Sequence, residues 1–274
     1  MILIAFSVKD TAGKNIAEKV LENYPFHPIS ELFQENPVYS AKINERSVKL
    51  IALKEEAVYA QNLQEHFPDS NLVVFLSRHG STSGTPTLSV HAPGNFGTAE
   101  LGGLPQTLSV CPAEAMSTAL KAMDRLRTEM QLEFEVSYEC THHGPSLNVP
   151  TMFVELGSSP IQWGNLKPAE AVAKASMEAI TSFKSPSSNA VLGIGGPHYN
   201  KKFTQMALNG EATFGHMIPK YALNLITAEV LRHCVDRTLE KTTTAVLDWK
   251  GIKGDYKPKI LEALAEISLP YEKV

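Results

Sequence analysis

Six histidines lie in turns rich in glycine or proline: His79, His91, His142, His143, His198 and His216. Three of them, His79, His142 and His198, follow the end of an apolar or alternating run, at 72–76, 132–138 and 190–194. In open α/β sheets ligands bind beyond the carboxyl ends of the strands, so these rings are expected to meet in one pocket at that rim. Glu155, near the end of the run 150–156, adds a carboxylate to the same rim. Neutral imidazoles with a carboxylate suit zinc and leave a position for water, and the same groups can act as acids and bases. No HExxH spacing is present, so any ligands must come from separate loops. Consecutive side chains on an extended backbone point oppositely. His142 and His143 are therefore not expected to ligate one metal together unless a bulge intervenes. A solvated His-His pair capping a strand is the plain alternative.

Other chemistries find less support. Gly80-Ser81-Thr82-Ser83-Gly84 carries its serines at the wrong offset for a nucleophile elbow. Cys140 sits on a hydrophobic strand, where packing is the simpler reading. Walker and GxGxxG motifs are missing; Gly193-Ile194-Gly195-Gly196 either cradles an anion through its N–H groups or simply permits a tight turn.

The elements that must hold these residues follow from periodicity. Ile2 to Ser7 and Val48 to Leu53 read as strands, and Leu72 to Leu76 as a strand buried on both faces. Asp10 or Thr11 caps a helix through Leu21, Ala57 to Phe67 forms a short helix, and Pro112 opens a long one to about Met130. Helices are also expected over 168–183, 204–208, 227–239 and 258–265, and strands over 190–194 and 244–249. Alternation at 87–91 and 132–138 points to some antiparallel pairing. Strands interleaved with helices give an α/β layered fold around a mixed, mostly parallel sheet.

A chain of 274 residues, 43% hydrophobic and 20% charged, has the composition of a globular protein. We expect residues 1–274 to form one catalytic domain, with at most a small subdomain inserted mid-chain. The net charge of −4 argues against a DNA coat or a polybasic membrane binder, while a local basic patch still permits RNA. Three cysteines without CxxC spacing argue against a disulfide framework or a cysteine-built zinc site. With no apolar stretch approaching a membrane span, a reducing cytoplasm is the expected setting. Lys201, Lys202, Lys220, Lys250, Lys253, Lys257 and Lys259 supply the basic patch if a polyanion is bound.

Seven motifs in order, SRHGS (77–81), HAPGNFG (91–97), THHGP (141–145), VELGSS (154–159), GIGGPHY (193–199), GHMIPKY (215–221) and DWKG (248–251), resemble the archaeal-type D-aminoacyl-tRNA deacylases. Gly80, Phe96 and Pro197 depart from that pattern, but every polar motif residue is kept. The resemblance implies hydrolysis of the ester joining a D-amino acid to the terminal adenosine of tRNA. It also implies zinc, one or two ions per chain, and a phosphorylase/hydrolase-like three-layer α/β/α sandwich. On that basis His91, His142, Glu155, His198 and His216 are the expected metal ligands. His79, His142, His143 and Glu155 are the expected catalytic groups. Arg78, Asn95, Lys201, Lys220, Lys250 and Lys253 are expected to hold the tRNA, and a monomer is expected. Two rivals are a zinc peptidase or amidase on the same type of fold and a non-catalytic RNA-binding module. Lysines beside the histidines favour tRNA over a peptide, and aromatics of only 8%, unclustered in the motifs, argue against the binding module.

Overall fold

The computed structural model describes every residue from Met1 to Val274. Eight strands, β1 (Ile2–Ser7), β2 (His27–Phe33), β3 (Asn36–Ile43), β4 (Arg46–Leu53), β5 (Leu72–Gly80), β6 (Thr87–His91), β7 (Glu135–Tyr138) and β8 (Thr151–Ser158), form one sheet. Its order is β2-β3-β4-β1-β5-β8-β6-β7. Strands β4, β1, β5 and β8 run parallel, β2-β3-β4 and β8-β6 pair antiparallel, and β7 lies parallel to β6. The α/β class with a mixed, mostly parallel sheet is thus as the sequence indicates. A second, all-parallel sheet, β10-β9-β11-β12, uses β9 (Ala190–Ile194), β10 (Phe214–Ile218), β11 (Thr242–Leu247) and β12 (Tyr271–Lys273). The helices are α1 (Thr11–Asn23), α2 (Leu63–His66), α3 (Ala113–Glu129), α4 (Pro160–Trp163), α5 (Leu166–Ser182), α6 (Lys201–Leu208), α7 (Ala228–Asp236) and α8 (Lys257–Glu266).

Alternation along the strands decides which face each helix covers. Ile2, Ile4, Val74, Leu76, Val154 and Leu156 face α1, α3 and α5 in one continuous core. The alternate residues Leu3, Ala5, Val73, Phe75 and Phe153 face the other way, under Ala57, Leu63, Phe67 and Leu147. That second face carries no long helix, only the turn Ala57–Tyr59, α2 and the segment 145–149. The second sheet is layered on both sides: Phe203, Phe214, Met217 and Val246 join the first core, while Leu192, Ile194 and Leu247 pack with α7 and α8.

Several local expectations change. Residues 25–47 carry no legible period, yet they form the β2–β3 hairpin, turned at Gln34 and Glu35 with φ of 49° and 65°. The strand β2 is an exposed edge containing Pro28, so neither alternation nor a central-strand composition marks it. The single helix expected over 57–67 is split into a turn and a four-residue helix. Strand β5 does not stop at Leu76: pairing with β8 continues through Ser77↔Glu155 and His79↔Gly157 to Gly80↔Ser158.

Asp10 ties the first helix to this extended strand. Its carboxylate accepts from the Gly13 N–H at 2.9 Å, capping α1, and from the Arg78 N–H at 2.6 Å and the Ser77 hydroxyl at 3.2 Å. Burial raises its pKa against the pull of these bonds. Asp10→Ala removes a cap and leaves a buried N–H unpaired, so we expect a loss of about 2 kcal/mol of stability, measured by urea unfolding. An unchanged midpoint would show that the bonds contribute nothing.

Candidate active site

Register places four polar side chains in a row across the face of the large sheet that carries no long helix. Phe75, Ser77 and His79 share a face of β5; Phe153 and Glu155 share that face of β8, with Phe75 stacked on Phe153 at 4.6 Å. Antiparallel β6 sets Ser89 opposite Glu155 and His91 opposite Phe153, and the His91 ring stacks on Phe153 at 5.1 Å. Parallel β7 sets Ser137 beside Ser89, so Glu139, two residues on, continues the row next to His91. His79 and His91 therefore belong to the strands themselves and project from the sheet face, rather than from loops beyond its rim as expected.

Glu139 is at the centre of the arrangement and is fully buried. Its Oε2 accepts from His198 Nε2 at 2.8 Å and lies 3.6 Å from His142 Nε2, while Oε1 lies 3.1 Å from His79 Nδ1 without an aligned donor. Glu155 Oε2 is 3.5 Å from His79 Nδ1 and 3.8 Å from His91 Nε2. Burial alone would raise both carboxyl pKa values. For Glu139 the facing His198 and His79, and for Glu155 the facing His79 and His91, outweigh that and hold them below the usual range. Burial likewise opposes charge on His79, yet the two carboxylates overcome it and raise its pKa to about 10.

A second group has the opposite character. The loop after β7 brings His142 and His143 together, ring centroids 4.2 Å apart, with His91 4.3 Å from His142. The bulge needed for this is supplied by His143, whose φ of 39° turns both rings the same way. Each of the three donates its Nδ1–H to a backbone carbonyl: His91 to Ala92 at 3.3 Å, His142 to Cys140 at 2.8 Å and His143 to Gly144 at 2.8 Å. That leaves Nε2 as the unspent nitrogen of each ring, and at His91 the facing Glu155 outweighs burial and raises the pKa. Burial and neighbouring rings push His142 well below the ordinary histidine value and His143 to about 4. Ligand atoms of His91, His142 and His143 lie within 4.8 Å of one another, as do those of His79, Glu139 and His198, and those of His91, Glu139 and Glu155. These buried histidine–glutamate clusters can hold a metal.

The cluster opens into a cleft of about 420 Å³, which Glu56, Val58, Tyr59, Arg78 and Leu101 also line. Arg78 reaches this rim, paired with Glu56 at 2.9 Å and stacked on Trp163. Lys201 and Lys202 line an adjoining depression that shares His198. Lys250 and Lys253 are exposed on the loop after β11, where Ile252 packs against Gly195 in the turn leading to His198. Lys220 is exposed beside Tyr221, whose hydroxyl is 3.4 Å from His198 Nδ1.

Two expected site residues stand elsewhere. His216 is fully buried with both nitrogens engaged, Nδ1 by the Thr141 hydroxyl at 3.0 Å and Nε2 by the carbonyls of Ser109 and Arg237 at 3.1 and 3.2 Å. Both its nitrogens are spent, and it ties β10 to the segments at Ser109, Thr141 and Arg237. Asn95 donates its Nδ2 hydrogens to the carbonyls of Gly102 and Leu104 at 2.9 and 3.2 Å, which shapes the loop 95–104. Cys140 is buried, and burial pushes its thiol up, which agrees with packing. The group missed in the sequence is Glu139. It shares the polar phase of Glu133, Glu135 and Ser137, which reads as a solvent face, and the turn ending at Tyr199 covers it, through the Glu139↔Tyr199 bridge.

Fold and site together define an α/β protein with a buried histidine–carboxylate centre able to hold a metal. The family model described as D-aminoacyl-tRNA deacylase matches residues 66–272. Chains of that name from Thermococcus onnurineus (35% identical, covering 97% of each chain) and Pyrococcus abyssi (33% identical, covering 100% of each) run the full length. The crystal structure of a conserved protein of unknown function is 32% identical and superposes with a TM-score of 0.88, covering 100% of this chain and 95% of that one. This chain belongs to the D-aminoacyl-tRNA deacylase family. No helix is long and apolar enough to cross a membrane.

His216 gives a pH test that does not involve the cluster. Burial lowers its pKa to about 4, below the unfolded value, so the unfolded chain takes up the proton first. Stability is complete above about pH 6.5 and falls as pH drops from there towards 4, by on the order of 3 kcal/mol. NMR titration should find His216 neutral at pH 5, and His216→Asn should flatten this acid limb; a ring titrating near 6.5 would contradict the assignment.

Proposed function

We propose that the chain hydrolyses the ester of D-aminoacyl-tRNA, releasing the D-amino acid and free tRNA. The observation that carries this reading is the convergence of Glu139, Glu155 and five imidazoles in one cleft of a chain belonging to that family. An aminoacyl ester is already activated, so it needs a positioned water, a base and a donor for the developing oxyanion.

The trio of His91, His142 and His143 fits zinc, which on binding would displace the proton that Glu155 favours on His91. His91 Nε2 is buried without a partner, and all three rings have their other nitrogen fixed by a carbonyl, as metal-bound histidines do. We therefore assign His91, His142 and His143 as ligands, with Glu155 beside them, and leave His216 out. Zinc held there would supply Lewis acidity to the ester carbonyl and make a nearby water more acidic. Glu139, held ionised, takes the proton from the attacking water. His79, held protonated between the carboxylates, donates to the oxygen that leaves on the ribose. His198 keeps Glu139 in place. A second ion would need His79, Glu139 and His198, the same residues that carry the proton transfers, so the reading requires one zinc per chain.

Lys201 and Lys202 next to His198, with Lys220, Lys250 and Lys253 around the same turn and Arg78 in the cleft lining, support a polyanionic substrate over a peptide. Residues from strands of the large sheet and from the turn after β9 of the second sheet contribute to the centre, which supports a single catalytic unit over residues 1–274. The cytoplasm, where charged tRNA is used, is the setting this reading requires.

Purified protein given D- and L-tyrosyl-tRNA should hydrolyse the D form, spare the L form, lose activity to a chelator and contain one zinc per chain by elemental analysis. Hydrolysis of neither ester would refute the function. Glu139→Gln keeps the shape and the contact with His198 but removes the base, so kcat should fall about 10²- to 10⁴-fold with circular dichroism unchanged. Turnover close to wild type would remove Glu139 from the mechanism.

A further inference from the structure

Part of the cleft lining beside the histidines carries large apolar groups left open to solvent. Tyr59 is 53% and Leu101 is 49% exposed, and both line the cleft that holds His79, His142 and His198. They are held side by side. A Cβ at Gly102 would lie 2.0 Å from the Val58 carbonyl oxygen and 3.3 Å from Tyr59 Cδ1, and Gly102 has φ +70°, so glycine is what lets the loop seat against the turn Ala57–Tyr59. The Leu101 carbonyl accepts from the Gly144 N–H at 3.0 Å, which ties the same loop to His143. Next to the turn, Glu56 holds the Arg78 guanidinium at 2.9 Å.

We propose that Tyr59, backed by Leu101, is the stacking surface for the adenine of the terminal nucleotide of the tRNA, a step that rests on the deacylase reading. Two groups flank the reacting ester: the adenine on the ribose side and the amino-acid side chain on the acyl side. The adenine is the same in every charged tRNA, whereas the side chain changes. A surface fixed by backbone contacts at Gly102 and Gly144 matches the invariant group. An aromatic ring accepts a base on its π-face without hydrogen-bond readout. Arg78, on the same side of the cleft, is placed for the phosphate that precedes that nucleotide.

Binding tests this without turnover. A fluorescent acceptor-stem minihelix ending in CCA should bind wild-type protein roughly tenfold tighter than the same stem ending in CC, and Tyr59→Ala should abolish that difference while leaving the CC stem unaffected. Tyr59→Phe should keep it. Equal discrimination by wild type and Tyr59→Ala, or none by wild type, would overturn the proposal. In turnover, Tyr59→Ala should raise KM by the same factor for D-tyrosyl- and D-alanyl-tRNA with kcat nearly unchanged. A rise confined to D-tyrosyl-tRNA would assign the wall to the amino-acid side chain and overturn the proposal. If wild type discriminates CCA from CC but hydrolyses neither ester, the deacylase reading fails and the stacking surface stands.

Discussion

Two carboxylates lie buried on one sheet face, and the rest of the site answers to them. Removing a carboxylate from water costs several kcal/mol even after relaxation, and a second one nearby adds repulsion that would ordinarily force one of the pair to take up a proton. In this cleft His79 lies 3.1 Å from Glu139 and 3.5 Å from Glu155, and its raised pKa is the counterpart of their lowered ones. His79 offsets one of the two negative charges, and His91, whose pKa Glu155 raises, faces the other. Removing His79 would leave two buried carboxylates without the cation that both of them face.

The same constraint explains why the site lies on the sheet face. Strands β5 and β8 remain paired to Gly80 and Ser158, past the point where the apolar run of β5 ends. Residues of one parity, Ser77, His79 and Glu155, point away from α1, α3 and α5, while Leu76, Val154 and Leu156 stay in the apolar core. The long helices occupy one side only, so the other is free for polar groups, covered by short turns and by loops from distant parts of the chain. Gly157 also matters to this packing, since a Cβ at that position would come within 2.8 Å of His79 Cβ.

Chemical contrast inside the cleft arises from which partners each ring meets. His79 faces carboxylates and is held charged, whereas His142 and His143, facing other imidazoles and backbone carbonyls, are held neutral. Environments that push like groups apart are how one pocket provides both an acid and a set of lone pairs. A proton donor and a metal-competent trio thus coexist within one cleft.

The sequence by itself determined the layered α/β class, most helices and strands, and the convergence of five histidines and Glu155, because these follow from local periodicity and from motifs whose polar residues are intact. It also carried the family resemblance across its whole length. Only the tertiary structure decided that β5 runs on through His79, that His142 and His143 turn the same way at a left-handed residue, and that His216 and Asn95 are spent on internal hydrogen bonds. Glu139 shows the physical reason most plainly. Its neighbours in sequence place it in a solvent-facing phase, and it is buried because a turn sixty residues later closes over it. Burial of that kind is a property of contacts between distant segments, which no local pattern of residue types records.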